Sequence, residues 1–389
     1  MKVGVFLEQN ASVGGGFQQA YSVVRLLRKH PIEGVDYVFF VFTKENEEIL
    51  KADGIEAVRV KFSIRRLLHR IAAKVLRDSL GLLVPFKGCI DGLLDEHGVD
   101  MVYFLTPSSY GMGLERHNYI ITLWDQCQRD WPEFPEVYAN TEFERREFIY
   151  RQSFPKAVAV LVDSPASGRM LHERYGVDLN RVLTAPFFPM LDAGDEAVDV
   201  RAKYSIDMPF LFYPAQFWAH KNHVYILDAL ALMRDSGVGA VFTGSDFGLK
   251  QRLIERVREM GLADRVFFPG FVPRADVIAF YRQAVALVMP TYFGQTNIPP
   301  LEAFALGCPV CYSDLPGLRD QVGEGAFLID LNTPESLCKA VRTILAGGDV
   351  VERKKAAGKK VLEACSEENY IGVLRGIFES YARLRRCRC

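Results

Sequence analysis

The sequence predicts an α/β chain of two domains, each a parallel sheet covered by helices. Three observations predict it. The 389 residues exceed what a single core ordinarily organises. Strand-like runs alternate with helix-like runs along the whole chain. Several of the strand-like runs are continuously apolar, as strands buried on both faces must be.

In the first half the strands are expected at Val3–Leu7, Tyr37–Phe42, Met101–Leu105, Tyr119–Leu123 and Ala157–Val162. In the second half they are expected at Phe210–Tyr213, Ala240–Phe242, Val266–Phe268, Ala286–Met289, Pro309–Tyr312 and Ala326–Ile329. Between the halves, Pro186–Asp199 turns from prolines and phenylalanines to Leu-Asp-Ala-Gly-Asp-Glu-Ala, the composition of a linker. The boundary is placed there, giving domains over 1–190 and 200–366. The final segment, Glu367 to Arg383, has apolar residues at helical spacing: Tyr370, Ile371, Val373, Leu374, Ile377, Phe378 and Tyr381.

Composition narrows the function. Lys+Arg (47) and Asp+Glu (48) nearly cancel, for a net charge of −1. A dedicated nucleic-acid binder concentrates positive charge, so that class is set aside. Of the eight cysteines, Cys308 and Cys311 have CxxC spacing. Pro309 and Val310 between them read as the start of a buried strand, and no second pair stands nearby, so no metal site is expected. Scattered thiols in a large chain suit a reducing cytoplasm. Met1-Lys2 runs straight into a short strand, too short for a signal peptide or membrane anchor. The expected location is cytoplasmic, peripheral on the inner face of the membrane at most.

Three segments carry candidate chemistry. Gly14-Gly15-Gly16 follows the first strand and precedes a helix-like run. Glycines there either let a ligand approach the backbone at a helix N-terminus or simply make a tight turn. Phe217-Trp218-Ala219-His220-Lys221-Asn222-His223 follows the strand at 210–213 and leads into an apolar helix. Lys221 thus stands near a helix N-terminus, where the helix dipole disfavours a cation unless an anion shares the site. The alternative is a solvated lysine.

The third segment is Met289-Pro290-Thr291-Tyr292-Phe293-Gly294-Gln295-Thr296-Asn297-Ile298-Pro299-Pro300-Leu301-Glu302-Ala303-Phe304-Ala305-Leu306-Gly307. A strand ends, a polar loop follows, and two prolines start a helix closed by Gly307. The amides from Gln295 to Ile298 are expected to face the crevice where open α/β sheets bind ligands. Glu302 is expected in the first turn, either as a capping-box carboxylate or as a bidentate acceptor for two ribose hydroxyls.

The run FGQTNIPPLEAFALGCPV resembles the family 4 retaining glycosyltransferases, and the resemblance extends from the glycine loop to the last helix. It implies the GT-B fold: two Rossmann-like domains with a donor and acceptor cleft between them, and a final helix, here within 367–389, that returns to the first domain. The family has two glutamates separated by seven residues. Glu302 matches the second, which grips the donor ribose, whereas Gly294 stands where the first belongs. Contacts to the donor sugar and diphosphate are then expected from Asn297 and the loop amides.

The resemblance also makes Lys221 the diphosphate-binding lysine, with Gln216 where an arginine is common. It makes Phe271-Val272, after Pro269-Gly270, the segment whose backbone reads the base edge. Trp124-Asp125 resembles the family's His-Asp pair, so Asp125 is a candidate for acceptor or donor-sugar contact, or else a helix N-cap. The expected catalytic set is therefore Lys221, Asp125 and Asn297. The expected donor contacts are Gly15, Gly16, Gln216, Lys221, Phe271, Val272, Gly294, Gln295, Thr296, Asn297, Ile298 and Glu302.

The chain has no Asp-x-Asp triplet. No metal or other cofactor is expected, since Lys221 and helix N-termini supply the positive charge. The partners implied are a UDP- or GDP-sugar and a glycan or lipid-linked saccharide acceptor. Arg65, Arg66, His69, Arg70, Lys74 and Arg77 alternate with Ile64, Leu67, Leu68, Ile71 and Val75 within 61–77. That amphipathic basic pattern suits an anionic membrane surface or a core-facing helix with a solvated basic side. Two other functions stay open: a related sugar-nucleotide enzyme such as an epimerase, and a subunit that binds sugar nucleotide without catalysis.

Overall fold

A computed structural model describes residues 1–11, 15–61, 72, 76, 90–189, 198–294 and 296–388. Gly14, Gln295, most of the basic segment 61–77 and most of the acidic linker therefore lie outside the described residues.

Contacts divide the chain into two compact units. The first comprises Met1–Gln126, Asn140–Pro186 and Glu367–Cys389. Its sheet is built from β1 (Lys2–Leu7), β2 (Asp36–Val41), β3 (Ala57–Arg59), β4 (Met101–Phe104), β5 (Asn118–Thr122), β6 (Ala159–Val162) and β7 (Val182–Thr184). All neighbours run parallel, in the order β3-β2-β1-β4-β5-β6-β7. Chain direction reverses across the sheet between β1 and β4, where Val3 pairs with Met101 and Phe6 with Phe104. The core between sheet and helices is aromatic: Phe6 stacks on Phe40 at 4.7 Å and meets Phe104 at 5.4 Å. The C-terminal helix, Glu367–Arg385, buries its Tyr370, Leu374, Phe378 and Tyr381 face. The Tyr370 and Tyr103 hydroxyls are 2.6 Å apart, which ties this helix to β4.

The second unit comprises Cys127–Ala139 and Phe187–Ser366. Its strands are β8 (Phe210–Pro214), β9 (Gly239–Thr243), β10 (Val266–Gly270), β11 (Ala286–Met289), β12 (Val310–Ser313) and β13 (Phe327–Ile329). They form one parallel sheet ordered β10-β9-β8-β11-β12-β13. The switch in direction falls between β8 and β11, with Leu287 opposite Phe212. Ligands of doubly wound sheets bind beyond the carboxyl ends of the strands at such a point. The segments that leave β8 and β11 are the two that carry Lys221 and Asn297.

Every strand expected from the sequence is present. The two that were not expected, β3 and β7, are three-residue edge strands with only half-buried side chains. Cys308 and Cys311 are buried around the start of β12, and burial pushes both thiols up, Cys308 to about 12. Among the described residues no helix is long and apolar enough to cross a membrane.

Candidate functional site

In the second unit, β8 ends at Pro214 and the chain makes one 3-10 turn at Ala219–Lys221. Asn222, at φ 53°, then opens the helix His223–Leu232, whose N-terminus has no side-chain cap. Lys221 therefore stands at a helix end whose dipole and first amides favour an anion. From β11 the chain passes through Thr291–Asn297 into the helix Ile298–Ala305, which also lacks a side-chain cap. A hydrogen bond links the two helix ends: Lys221 Nζ donates to Asn297 Oδ1 at 3.3 Å.

Asn297 is buried, and its side chain shapes the loop. Its Nδ2 donates to Gly294 O at 2.8 Å and to the Tyr312 hydroxyl at 2.6 Å. Gly294 has φ +105°, and a Cβ there would lie 2.8 Å from Asn297 Oδ1, so only glycine fits this bend. Gln321 holds the same residue by its backbone, accepting from Asn297 N at 3.1 Å and donating to Asn297 O at 2.6 Å. The Asn297 N–H is thus committed to Gln321. This corrects the expectation that the loop's amides from 295 to 298 all face a ligand. Pro299 and Pro300 offer no N–H, and Thr296 and Ile298 are both half-buried.

Glu302 is also placed differently from the expectation. It is the fifth residue of its helix, not part of the first turn, and Pro300 occupies the position a capping box requires. Its buried carboxylate accepts from the Tyr281 hydroxyl at 2.8 Å and pairs with Arg274 at 2.7 Å. Gln216 Oε1 accepts from Trp218 Nε1 at 2.9 Å, and Trp218 stacks on Phe247 at 4.1 Å. Directly after β10, Phe271 is 75% exposed whereas Val272 is buried. The side chain available to a flat ligand at that edge is therefore the phenylalanine.

His223 adds no positive charge. It is buried among the rings of Tyr213, Phe217 and Phe242. Burial, then the charges of Lys221 and His220, hold it down to about 3.

Gly15, Gly16 and Asp125 belong to the first unit, at the carboxyl ends of β1 and β5. Gly16 lies within the helix Gly15–Lys29, and a Cβ there would meet the Trp124 ring at 2.6 Å. Close packing against Trp124 accounts for this glycine, and a tight turn does not. Trp124 Nε1 in turn donates to Gln19 Oε1 at 3.1 Å. Asp125 stands two residues before the helix Cys127–Asp130. Its carboxylate pairs with Arg146 Nη1 at 2.9 Å, and its carbonyl accepts from the Tyr150 hydroxyl.

Sequence reasoning passed over Gln321, Tyr312, Tyr281 and Glu136. Each reaches the site from a different element, and no local pattern marks any of them.

Comparison with known proteins agrees with the fold. Residues 199–361 match the family described as glycosyl transferases group 1. The chain is 26% identical over 255 residues to D-inositol 3-phosphate glycosyltransferase of Nocardia farcinica, which covers 61% of this chain and 55% of that protein. It is 28% identical over 221 residues to O-antigen chain mannosyltransferase RfbU of Salmonella typhimurium, covering 57% and 60%. The chain thus spans 50–60% of the length of curated relatives such as these. Among solved structures it resembles sucrose-phosphate synthase from Thermosynechococcus elongatus, with TM-score 0.72, 18% identity and 99% of each chain covered. It also resembles Anabaena HepE in complex with UDP-glucose, with TM-score 0.70, 17% identity and coverage of 98% and 100%. The fold is GT-B, with two Rossmann-like domains. The match to glycosyl transferases group 1 falls within the second unit, which carries Lys221, Asn297 and Glu302.

Proposed function

We propose that the chain transfers a sugar from a nucleoside diphosphate donor to an acceptor hydroxyl, with retention at the anomeric carbon. The observation that carries this reading is Lys221 at the uncapped N-terminus of His223–Leu232, with Nζ 3.3 Å from Asn297 Oδ1. Breaking the glycosidic bond leaves new charge on the diphosphate. A lysine and helix amides fixed in place stabilise that charge more in the transition state than in the ground state. Asn297 holds the ammonium without neutralising it, since an amide oxygen carries no net charge.

Phe271 offers a ring to the base, and Glu302 a carboxylate to the ribose once Arg274 or Tyr281 gives way. Asp125 is the candidate for contact with the acceptor or the transferred sugar. A glycan or lipid-linked saccharide acceptor, in cell-surface polysaccharide synthesis, is supported by the likeness to RfbU. UDP- or GDP-sugars are the donors to test, the first supported by the likeness to HepE bound to UDP-glucose.

The experiment is a thermal-shift screen with UDP, GDP and their common hexoses, followed by turnover with the donor that stabilises most. A ligand that binds only the folded state raises Tm by mass action. Stabilisation by one nucleotide series and sugar transfer to an added glycan acceptor are expected. No shift with any nucleotide contradicts the reading.

A further inference from the structure

The segment Cys127–Ala139 packs with the second unit although the chain on both sides of it belongs to the first. It brings Trp131, Phe134 and Glu136 to the loop that leaves β11. Trp131 meets Tyr292 edge-on at 5.2 Å, and Phe134 meets Phe293 edge-on at 5.7 Å. His220 stacks on Phe293 at 3.8 Å and accepts from Tyr292 N through its carbonyl at 3.0 Å.

Glu136 joins this cluster from the other side. Its Oε1 accepts from His220 N at 2.8 Å and is also hydrogen-bonded to His220 Nδ1. The side chain is nine-tenths buried, yet Oε2 has no partner. Burial raises its carboxyl, but the two His220 hydrogen bonds and the His220 charge outweigh this and leave it below the ordinary glutamate value. An ionised carboxylate only accepts. A buried acceptor left unmatched is costly, so what belongs on Oε2 is a donor.

The surroundings say which kind. Residue 220 is followed by Lys221 and an uncapped helix N-terminus, which together suit an anion. The loop Thr291–Asn297 contains no acidic residue. A ligand that satisfies both features carries a diphosphate and, a short distance away, hydroxyl hydrogens. The aromatic side chains of Phe134 and Phe293 give such a sugar an apolar wall.

We infer that Glu136 is a donor-sugar residue, with Oε1 fixing His220 and Oε2 accepting a hydroxyl hydrogen of the glycosyl group of the bound nucleotide sugar. The inference rests on the donor reading above and adds to it a residue drawn from the β5 side of the chain. It also assigns a task to each oxygen. Oε1 is a positioning contact that acts through His220, whereas Oε2 touches the substrate.

The test compares a nucleotide sugar with its bare diphosphate by calorimetry, using UDP-glucose against UDP and GDP-mannose against GDP. Glu136→Gln keeps an acceptor for His220 and removes the charged acceptor from the Oε2 position. It is expected to weaken the sugar nucleotide by roughly tenfold or more, the scale of one hydrogen bond to a charged group. Affinity for the diphosphate should stay equal or become tighter, because a negative charge has left. Equal losses for both, or no loss for either, overturn the inference while leaving the donor reading intact. Failure of wild type to bind any of the four removes the donor reading and the inference with it. Should the variant not fold, wild type measured with singly deoxygenated UDP-glucose or GDP-mannose decides. One deoxy position is expected to lose about tenfold, and uniform affinity across the series overturns the inference.

Discussion

Lys221 and Asn297 lie 76 residues apart in sequence, yet Nζ of the first donates to Oδ1 of the second at 3.3 Å. The contact exists because β8 and β11 are neighbours in the sheet, so the segments leaving them emerge side by side. Each segment opens a helix without a side-chain cap. The sheet's change of direction thus brings a lysine and two helix N-termini to one place, the arrangement an anionic leaving group requires.

Gln321 is expected to matter through the loop. It makes two hydrogen bonds to the Asn297 backbone and accepts a third from the Tyr312 hydroxyl at 2.9 Å. Gln321→Ala should raise the donor KM several-fold, since roughly 1 kcal/mol per lost hydrogen bond loosens the loop. Tm should fall only modestly. A donor KM equal to wild type would show that the loop holds its shape without Gln321.

Glu302 is expected to serve stability and, on the proposed reading, binding as well. Its carboxylate is the partner of the buried Tyr281 hydroxyl. Glu302→Ala should destabilise the fold by about 1–3 kcal/mol, because that hydroxyl loses its acceptor. Donor affinity should fall by a similar amount if the carboxylate also reaches the ribose. Tyr281→Phe separates the roles: it should spare donor affinity. Calorimetry showing intact donor binding in Glu302→Ala would leave Glu302 as a packing residue alone.

Glu8 follows β1 in the first unit, and its buried Oε1 has no hydrogen-bond partner. Burial pushes its carboxyl up to about 8, against the opposing pull of the Ser108 hydrogen bond and Arg145. The folded chain therefore keeps a proton that the unfolded chain releases near 4.5. Stability from this group is full at low pH and declines as pH rises toward 8. Glu8→Gln should match wild type in Tm near the lower value and exceed it near the upper one. Parallel Tm curves for the two proteins would contradict the raised carboxyl.

Turnover should survive EDTA. The chain has no Asp-x-Asp triplet, and the proposed charge partner of the diphosphate is an ammonium. Activity abolished by the chelator and restored by magnesium or manganese would overturn the metal-independent mechanism.

The fold was legible because buried parallel strands are continuous apolar runs. Residues such as Met101–Phe104 and Ala286–Met289 are buried on both faces and leave no polar gap. Ala57–Arg59 and Val182–Thr184 escaped because three half-buried edge residues carry no such signal. Lys221 and Asn297 could be picked out, since each sits beside a helix start that the sequence announces. Their mutual contact could not, because it depends on which strands are neighbours. Glu302 was misplaced by less than a turn, because the helix starts at Ile298, ahead of both prolines. Glu136 was invisible: its partner His220 is 84 residues away, and nothing near it hints at that pairing.

The central claim is that Lys221 opposes the charge developing on a diphosphate leaving group, and Lys221→Met tests it most directly. A solvated surface lysine replaced by methionine changes stability by less than about 0.5 kcal/mol and leaves turnover alone. Loss of one fixed electrostatic partner should instead cut kcat by roughly 10²-fold or more. Donor affinity should fall too, because the ground-state diphosphate is already charged, and saturating donor should not restore kcat. The measurement is kcat at saturating donor for a variant whose Tm matches wild type. A hundredfold loss is the predicted result, and near-wild-type turnover would take Lys221 out of the mechanism.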